Sequence, residues 1–177
     1  MIIRKTKISG VYIIDLEPKL DGRGYFTRVF DVKELKKQGI SCKIVNINRS
    51  LTEKKGTVRG LHYQKSPRQE DKIVQCLQGS IWDVALDLRK DSKTYGKWIG
   101  EKLSEKNKRM LVIPKGCAHA FQTLEKNTVV EYFVSEYYSA KHERGVKWND
   151  SLFKIKWPIK TVTVSKKDGE WPSFPKK

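Results

Sequence analysis

Between residues 43 and 135 turn residues cut the chain into short strand-like segments at near-regular spacing, and this punctuation limits the possible folds more than any other feature. The segments are residues 44–50, 57–64, 72–77, 81–88, 98–103, 110–113, 120–124 and 129–135. The separators include Gln78-Gly79-Ser80, Lys90-Asp91-Ser92, Pro114-Lys115-Gly116 and Glu125-Lys126-Asn127. Many short strands separated in this way predict an all-β antiparallel barrel or sandwich. Upstream, residues 11–16 read as a first strand, stopped by Glu17-Pro18 and the turn Asp21-Gly22-Arg23-Gly24, and residues 25–30 as a second. Asp31 followed by Glu34 marks a helix start, and Gly39 a stop, so residues 31–37 should form one short helix. From Gly145 onward Trp148, Phe153, Trp157 and several prolines suggest an irregular strap packed across the barrel.

At 177 residues the chain suits a single domain, 1–177, able to bury a core without disulfides or a structural metal. Cys42, Cys76 and Cys117 are odd in number and widely spaced, which favours a reducing cytoplasm. The N-terminus lacks the apolar run of a signal peptide, and no segment approaches a membrane span, so a cytoplasmic protein with no membrane partner is expected. The formal charge of +17 invites a nucleic-acid reading. Yet the cations are mainly lysines, 28 against 9 arginines, spread without blocks or a reader motif. A solvated basic surface explains them, and no nucleic-acid partner is expected; the field could still draw in a small phosphorylated ligand.

Two segments bear on the interior. In residues 81–88 the even positions are uniformly apolar, while the odd ones include Asp83 and Asp87. That contrast fits a partly polar lumen, and equally an ordinary strand with its aspartates in water. In residues 57–64 simple alternation puts Val58, Gly60, His62 and Gln64 on one face and Arg59, Leu61 and Tyr63 on the other.

Small barrels often bind a metal through a His-x-His pair plus further ligands. Here Gln64 stands two after His62, and His119 and His142 are isolated, so the sequence argues for a site without metal. Chemistry would then come from acids and bases. His62 suits a base, Lys72 opens the next strand, and Tyr132 lies within another. Each also has a structural reading, as a core histidine, a surface lysine and a core aromatic. Together they fit proton abstraction alpha to a carbonyl, which needs a base, a cation beside the enolate oxygen and an acid on the opposite face. A carboxylate should orient the imidazole, but spacing leaves open which one.

Several ordered motifs carry a family resemblance. They are Asp21-Gly-Arg-Gly-Tyr-Phe26, Gly56-Thr-Val-Arg-Gly-Leu-His-Tyr-Gln64, Trp82-Asp-Val-Ala-Leu-Asp-Leu-Arg89, Ile113-Pro-Lys-Gly-Cys-Ala-His-Ala-Phe121, Glu131-Tyr-Phe-Val-Ser-Glu-Tyr-Tyr138, Trp148-Asn-Asp150 and Ser165-Lys-Lys-Asp168. With these the chain resembles the dTDP-4-dehydrorhamnose 3,5-epimerases, the RmlC-like cupins of nucleotide-sugar biosynthesis. The resemblance implies a cupin-type jelly-roll barrel with one or two short helices, in a homodimer whose exchanged N-terminal strands lend residues to the partner's site. It implies no metal and no cofactor, and an isomerase acting on a nucleotide-linked 4-keto-6-deoxy sugar for deoxysugar or polysaccharide synthesis.

By the same resemblance His62 is the base, oriented by Asp168, Tyr132 the acid, and Lys72 the partner of the C4 oxygen. Arg23 and Arg59 grip the pyrophosphate, Phe26 and Tyr138 pack around the nucleobase, Asn48 contacts the ligand, Asp83 holds Lys72, and His119 is a further site residue. Two positions depart from the family's pattern: Arg28 stands for a glutamate and Asn46 for a glutamine, both on the nucleotide side. The alternatives are an epimerase of one centre, one using a CDP- or GDP-sugar, and a sugar-nucleotide-binding cupin without catalysis.

Overall fold

The computed structural model describes residues 1–40 and 43–175; Cys42 lies outside them. The elements in chain order are β1 (Ile2–Lys5), β2 (Tyr12–Asp15), β3 (Lys19–Asp21), β4 (Gly24–Phe26), α1 (Val32–Lys37), β5 (Asn46–Thr52), β6 (Val58–Gln64), β7 (Lys72–Gln78), β8 (Ser80–Asp87), β9 (Trp98–Ser104), β10 (Arg109–Ile113), β11 (Cys117–Thr123), β12 (Thr128–Val134), β13 (Glu143–Gly145) and α2 (Lys166–Gly169). They form a six-stranded sheet in the order β1-β2-β10-β7-β12-β5 facing a five-stranded sheet in the order β13-β6-β11-β8-β9, with β3 and β4 as a separate hairpin. This is the jelly-roll architecture that the strand spacing and the resemblance predict. No helix among the described residues is long and apolar enough to cross a membrane.

Three apolar clusters organise the layers. Val74, Leu111 and Val130 from the larger sheet meet Ile81, Leu103 and Phe121 from the smaller one and fill the interior between them. On the outside of the larger sheet, Leu35 of α1 packs with Ile14, Ile73, Met110 and Phe133. On the outside of the smaller sheet, Leu61, Val84, Leu86 and Ala120 are covered by Phe153, Ile155, Trp157 and Phe174 of the C-terminal strap. Each fully buried Leu or Ile here contributes about 1.5–3 kcal/mol over an exposed one. Cys76 and Cys117 are free, and burial pushes both thiols up to about 12, so they behave as small core hydrophobes.

The expected N-cap is present: the Asp31 carboxylate accepts from the backbone N–H groups of Lys33 and Glu34. The expected strand over 25–30 is a correction, because β4 ends at Phe26. Val29 and Phe30 turn inward instead, and the Phe30 ring stacks on Phe133 at 6.1 Å. Burying those two side chains outweighs extending a hairpin whose residues are all exposed.

Of the two readings of residues 81–88, the polar lumen is the one found: Asp83 and Asp87 are both fully buried. Asp87 lies low in its titration range because, against the cost of burial, it accepts bonds from Arg89, Ser92 and Thr94.

The alternation expected in β6 is also corrected. Pairing with β11 runs Val58 to Gln122, Arg59 to Phe121 and Gly60 to Ala120, then slips so that His62 faces His119. Leu61 is the extra residue of a bulge. Arg59 and His62 therefore both face the interior, while Val58 and Gly60 point to the strap side. Gly60 permits this bulge: its φ is +120°, and a Cβ there would lie 2.5 Å from both the Cβ of Ala120 and the carbonyl oxygen of His119.

Candidate active site

The interior opens on a cleft of two lobes. One, of about 330 Å³, is lined by Asn46, Asn48, Gln64, Glu70, Tyr138 and Glu143 together with His62, Lys72 and Tyr132. The other, of about 380 Å³, is lined by Arg59, His119, Phe121, Ser165 and Asp168 together with the same three residues. His62, Lys72 and Tyr132 thus stand where the lobes meet. His62 belongs to the five-stranded sheet, and Lys72 and Tyr132 to the six-stranded sheet. A small molecule between them would have an imidazole on one wall and a phenol and an ammonium on the other.

His62 Nε2 lies 2.6 Å from Asp168 Oδ1. Asp168 sits in α2, whose N-cap Ser165 accepts from the Asp168 N–H. Burial alone would raise the Asp168 pKa, but bonds from His62, the Gly60 N–H and Ser165 together hold its carboxyl below the usual range. An ionised carboxylate only accepts, so the neutral imidazole carries its proton on Nε2 and leaves Nδ1 as the basic nitrogen. The edge of Trp171 covers the imidazole, with ring centroids 6.1 Å apart. β13 runs beside His62 with Gly145 opposite it, and any Cβ on Gly145 would lie 2.2 Å from the Trp171 ring.

Burial, with the Glu70 carboxylate adding to it and Arg59 opposing it, raises the Tyr132 phenol above its ordinary value, so it is protonated at neutral pH. Lys72 Nζ is 3.1 Å from Glu70 Oε1. Asp83, expected to hold Lys72, instead places Oδ1 2.7 Å from His119 Nε2, and its buried Oδ2 has no hydrogen-bond partner. Burial raises the Asp83 pKa, and the charges of His119 and Lys72 oppose that rise. Arg59 lies in the second lobe, its guanidinium donating to Thr52 Oγ1 and the Leu51 carbonyl. Tyr138 donates to Glu143, which also pairs with Lys167 at 2.7 Å.

The structure therefore gathers His62, Lys72, Tyr132, Asp168, Asp83, His119, Arg59, Asn46, Asn48 and Tyr138 in or against one cleft. It does not bring Arg23, Phe26 or Arg28 to it. Arg23 and Phe26 lie on the exposed β3–β4 hairpin, where Arg23 pairs with Asp21, and Arg28 pairs with Asp31 beyond it. Among the described residues the hairpin strands pair only with each other, and the hairpin meets the barrel through Tyr25, whose ring lies 4.1 Å from Lys108 Nζ, away from the cleft.

Sequence reasoning missed Glu70, Gln64, Glu143, Lys167 and Trp171. Glu70 had a signal, since residues two apart share a face of an extended chain and Lys72 follows at that spacing. Glu143, Lys167 and Trp171 had none, because they reach the cleft through β13 and the strap.

The family profile of dTDP-4-dehydrorhamnose 3,5-epimerase matches residues 5–176. A Sinorhizobium fredii protein of that name is 42% identical over 175 residues, spanning 98% of this chain and 90% of the relative. A Bacillus anthracis enzyme of that name, solved with TDP and PPi bound, is 42% identical with a TM-score of 0.94, covering 97% of this chain and 98% of that one. A Legionella pneumophila epimerase solved with dTDP-4-keto-L-rhamnose is 38% identical with a TM-score of 0.88, covering 94% and 88%. With a family profile over residues 5–176 and relatives this similar across nearly the whole chain, the chain belongs to the dTDP-4-dehydrorhamnose 3,5-epimerase family.

Proposed function

We propose that the protein epimerises C3 and C5 of a nucleotide-linked 4-keto-6-deoxy sugar of the dTDP-4-dehydro-6-deoxyglucose type. The observation that carries this reading is the placement of an Asp168-oriented imidazole opposite a protonated Tyr132 across one cleft, with Lys72 between the lobes. His62 Nδ1 removes the proton from a carbon next to the ketone. The electron pair moves onto the C4 oxygen, where the Lys72 ammonium stabilises the enolate. Tyr132 then delivers a proton to the same carbon from the other face, which inverts it. C3 and C5 both flank the ketone, so one base and one acid serve either centre. Arg59 holds a phosphate of the nucleotide, a task that its forked guanidinium suits.

Solvent deuterium exchange with a dTDP-linked 4-keto-6-deoxy sugar tests this. Label is expected at C3 and C5; label at one carbon would mark an epimerase of a single centre, and no label would sink the enzymatic reading.

We also infer a homodimer in which the β3–β4 hairpin crosses to the partner, so that Arg23, Phe26 and Arg28 serve the partner's cleft. The exposed apolar side chains of Leu20, Tyr25 and Phe26 on the hairpin, and of Ile47 and Leu51 on the edge strand β5, support it, since a monomer would leave them in water. Mixed subunits provide the check. Arg23→Ala and His62→Ala proteins should each be impaired, and after unfolding and refolding together they should regain roughly a quarter of wild-type activity, because half the dimers carry one complete site. No recovery would count against exchange.

A further inference from the structure

We propose that Glu70 is the positioning residue for Lys72, and that buried Gln64 links it to the turn carrying Tyr138, so that occupation of one end of the cleft sets the ammonium at the other. The proposal rests on the epimerase reading above. Lys72 ends in a point charge on a flexible stem and takes its position from its partners. Its partner in the structure is Glu70, at 3.1 Å, and both side chains are almost buried, at 13% and 12% exposure. Glu70 is itself fixed: its other oxygen, Oε2, accepts from Gln64 Nε2 at 3.3 Å.

Gln64 uses the rest of its amide on one short segment. Its Nε2 also donates to the Tyr137 carbonyl at 3.1 Å, and its Oε1 accepts the Ser139 N–H at 2.7 Å. Tyr138, between those two residues, is an exposed aromatic on the wall of the same lobe. The path from Tyr138 to Lys72 is therefore three hydrogen-bonded or ion-paired steps through two side chains that water scarcely reaches. A ring-shaped ligand group packing on Tyr138 would fix the 137–139 turn, and through it Gln64, Glu70 and the ammonium. Binding energy from a remote part of the substrate would then be used to place the group that meets the developing enolate. Asp83, whose charge also interacts with Lys72, bonds His119 through Oδ1 and has no hydrogen-bond partner at Oδ2, so among the described residues Glu70 is the carboxylate ion-paired with the ammonium.

The Glu70 charge also acts on Tyr132, whose proton it helps retain. Glu70 and Arg59 are the charges that act on that phenol, and the other charged and titratable groups lining the two lobes beside it are His62 and Tyr63 from β6, Lys72 from β7, His119 from β11, Glu136 and Tyr138 after β12, Glu143 from β13, and Lys167 and Asp168 from α2. Replacing Glu70 alone removes one negative charge from this set.

The test is Glu70→Gln, which keeps an oxygen for Lys72 while removing the charge, with Glu70→Asp alongside. In Glu70→Gln, kcat should fall roughly 10–100-fold, the loss expected for a misplaced reacting group. KM and the affinity for dTDP alone should stay within a few-fold of wild type, and the alkaline limb of the kcat profile should move to lower pH. Glu70→Asp should keep the limb in place while kcat falls through its shorter reach, and it serves alone if the glutamine variant does not fold. Normal kcat in both variants, or a Glu70→Gln loss with an unmoved limb, would overturn the proposal while the epimerase reading stands. Absence of solvent exchange in the wild-type protein would overturn both.

Discussion

Replacing His62 with alanine should lower solvent exchange at both C3 and C5 by about 10²–10⁴-fold, the usual contribution of a positioned base, while dTDP affinity changes by no more than a few-fold. Both centres should fail together, because one imidazole faces the junction of the two lobes and the other candidate bases there among the described residues are engaged: His119 with Asp83, Glu70 with Lys72, and Glu143 with Tyr138 and Lys167. Nucleotide affinity should survive because the arginines and aromatic residues proposed to bind the nucleotide do not depend on His62. Exchange and titration calorimetry on the same sample separate these outcomes. Exchange that persisted at either carbon would remove His62 from the base role there.

The second large effect concerns Tyr132. In Tyr132→Phe the base, its aspartate and the lysine remain, so a proton can still leave the carbon and return from the same side. Deuterium should therefore still enter, with retained configuration, while formation of the epimer falls by about 10²–10⁴-fold. His62 is partly open to the cleft, so its abstracted proton can exchange with solvent before it returns. Exchange and inversion, coupled in the wild type, should come apart, and NMR of the recovered sugar nucleotide reads both. Undiminished inversion would place the acid elsewhere. Burial and the Glu70 charge hold the phenol's proton above the ordinary range, so the fall in wild-type inversion that comes from losing that proton should appear at alkaline pH.

Much of this site was legible in the chain. His62 and Tyr132 lie within strands, and Lys72 at the start of one, whose bounds the turn residues announce, and their three chemistries define a reaction class without any coordinates. The tension at Arg59 was legible as well: strict alternation turned it away from His62, so a pyrophosphate role needed a bend or bulge near Gly60, or an arginine serving the partner subunit's site. That bulge is present, with Leu61 as the extra residue. The fate of Asp83 was not legible. Its strand position puts it in the lumen, but whether a buried carboxylate meets a lysine or a histidine depends on the register of β8 against β11 and on the reach of side chains from the opposite sheet.

Local sequence decided what needs only neighbours along the chain: the short strands, their turns, the capped helix α1 and the chemical types that point into the barrel. These follow from turn conformation and from the two-residue period of an extended backbone, which act over a few residues. Tertiary structure alone decided the pairing of His62 with Asp168, 106 residues away. The strap is anchored where the buried Gln122 amide bonds Ile159 in both directions and where residue 163 pairs beside β6, and from there Ser165 starts the turn that delivers the carboxylate. Nor could spacing show that base and acid occupy opposite walls, because that follows from two sheets closing face to face around a shared apolar core. Long-range packing carries no local signature, since the free energy that selects it arises only when distant apolar faces are buried against each other.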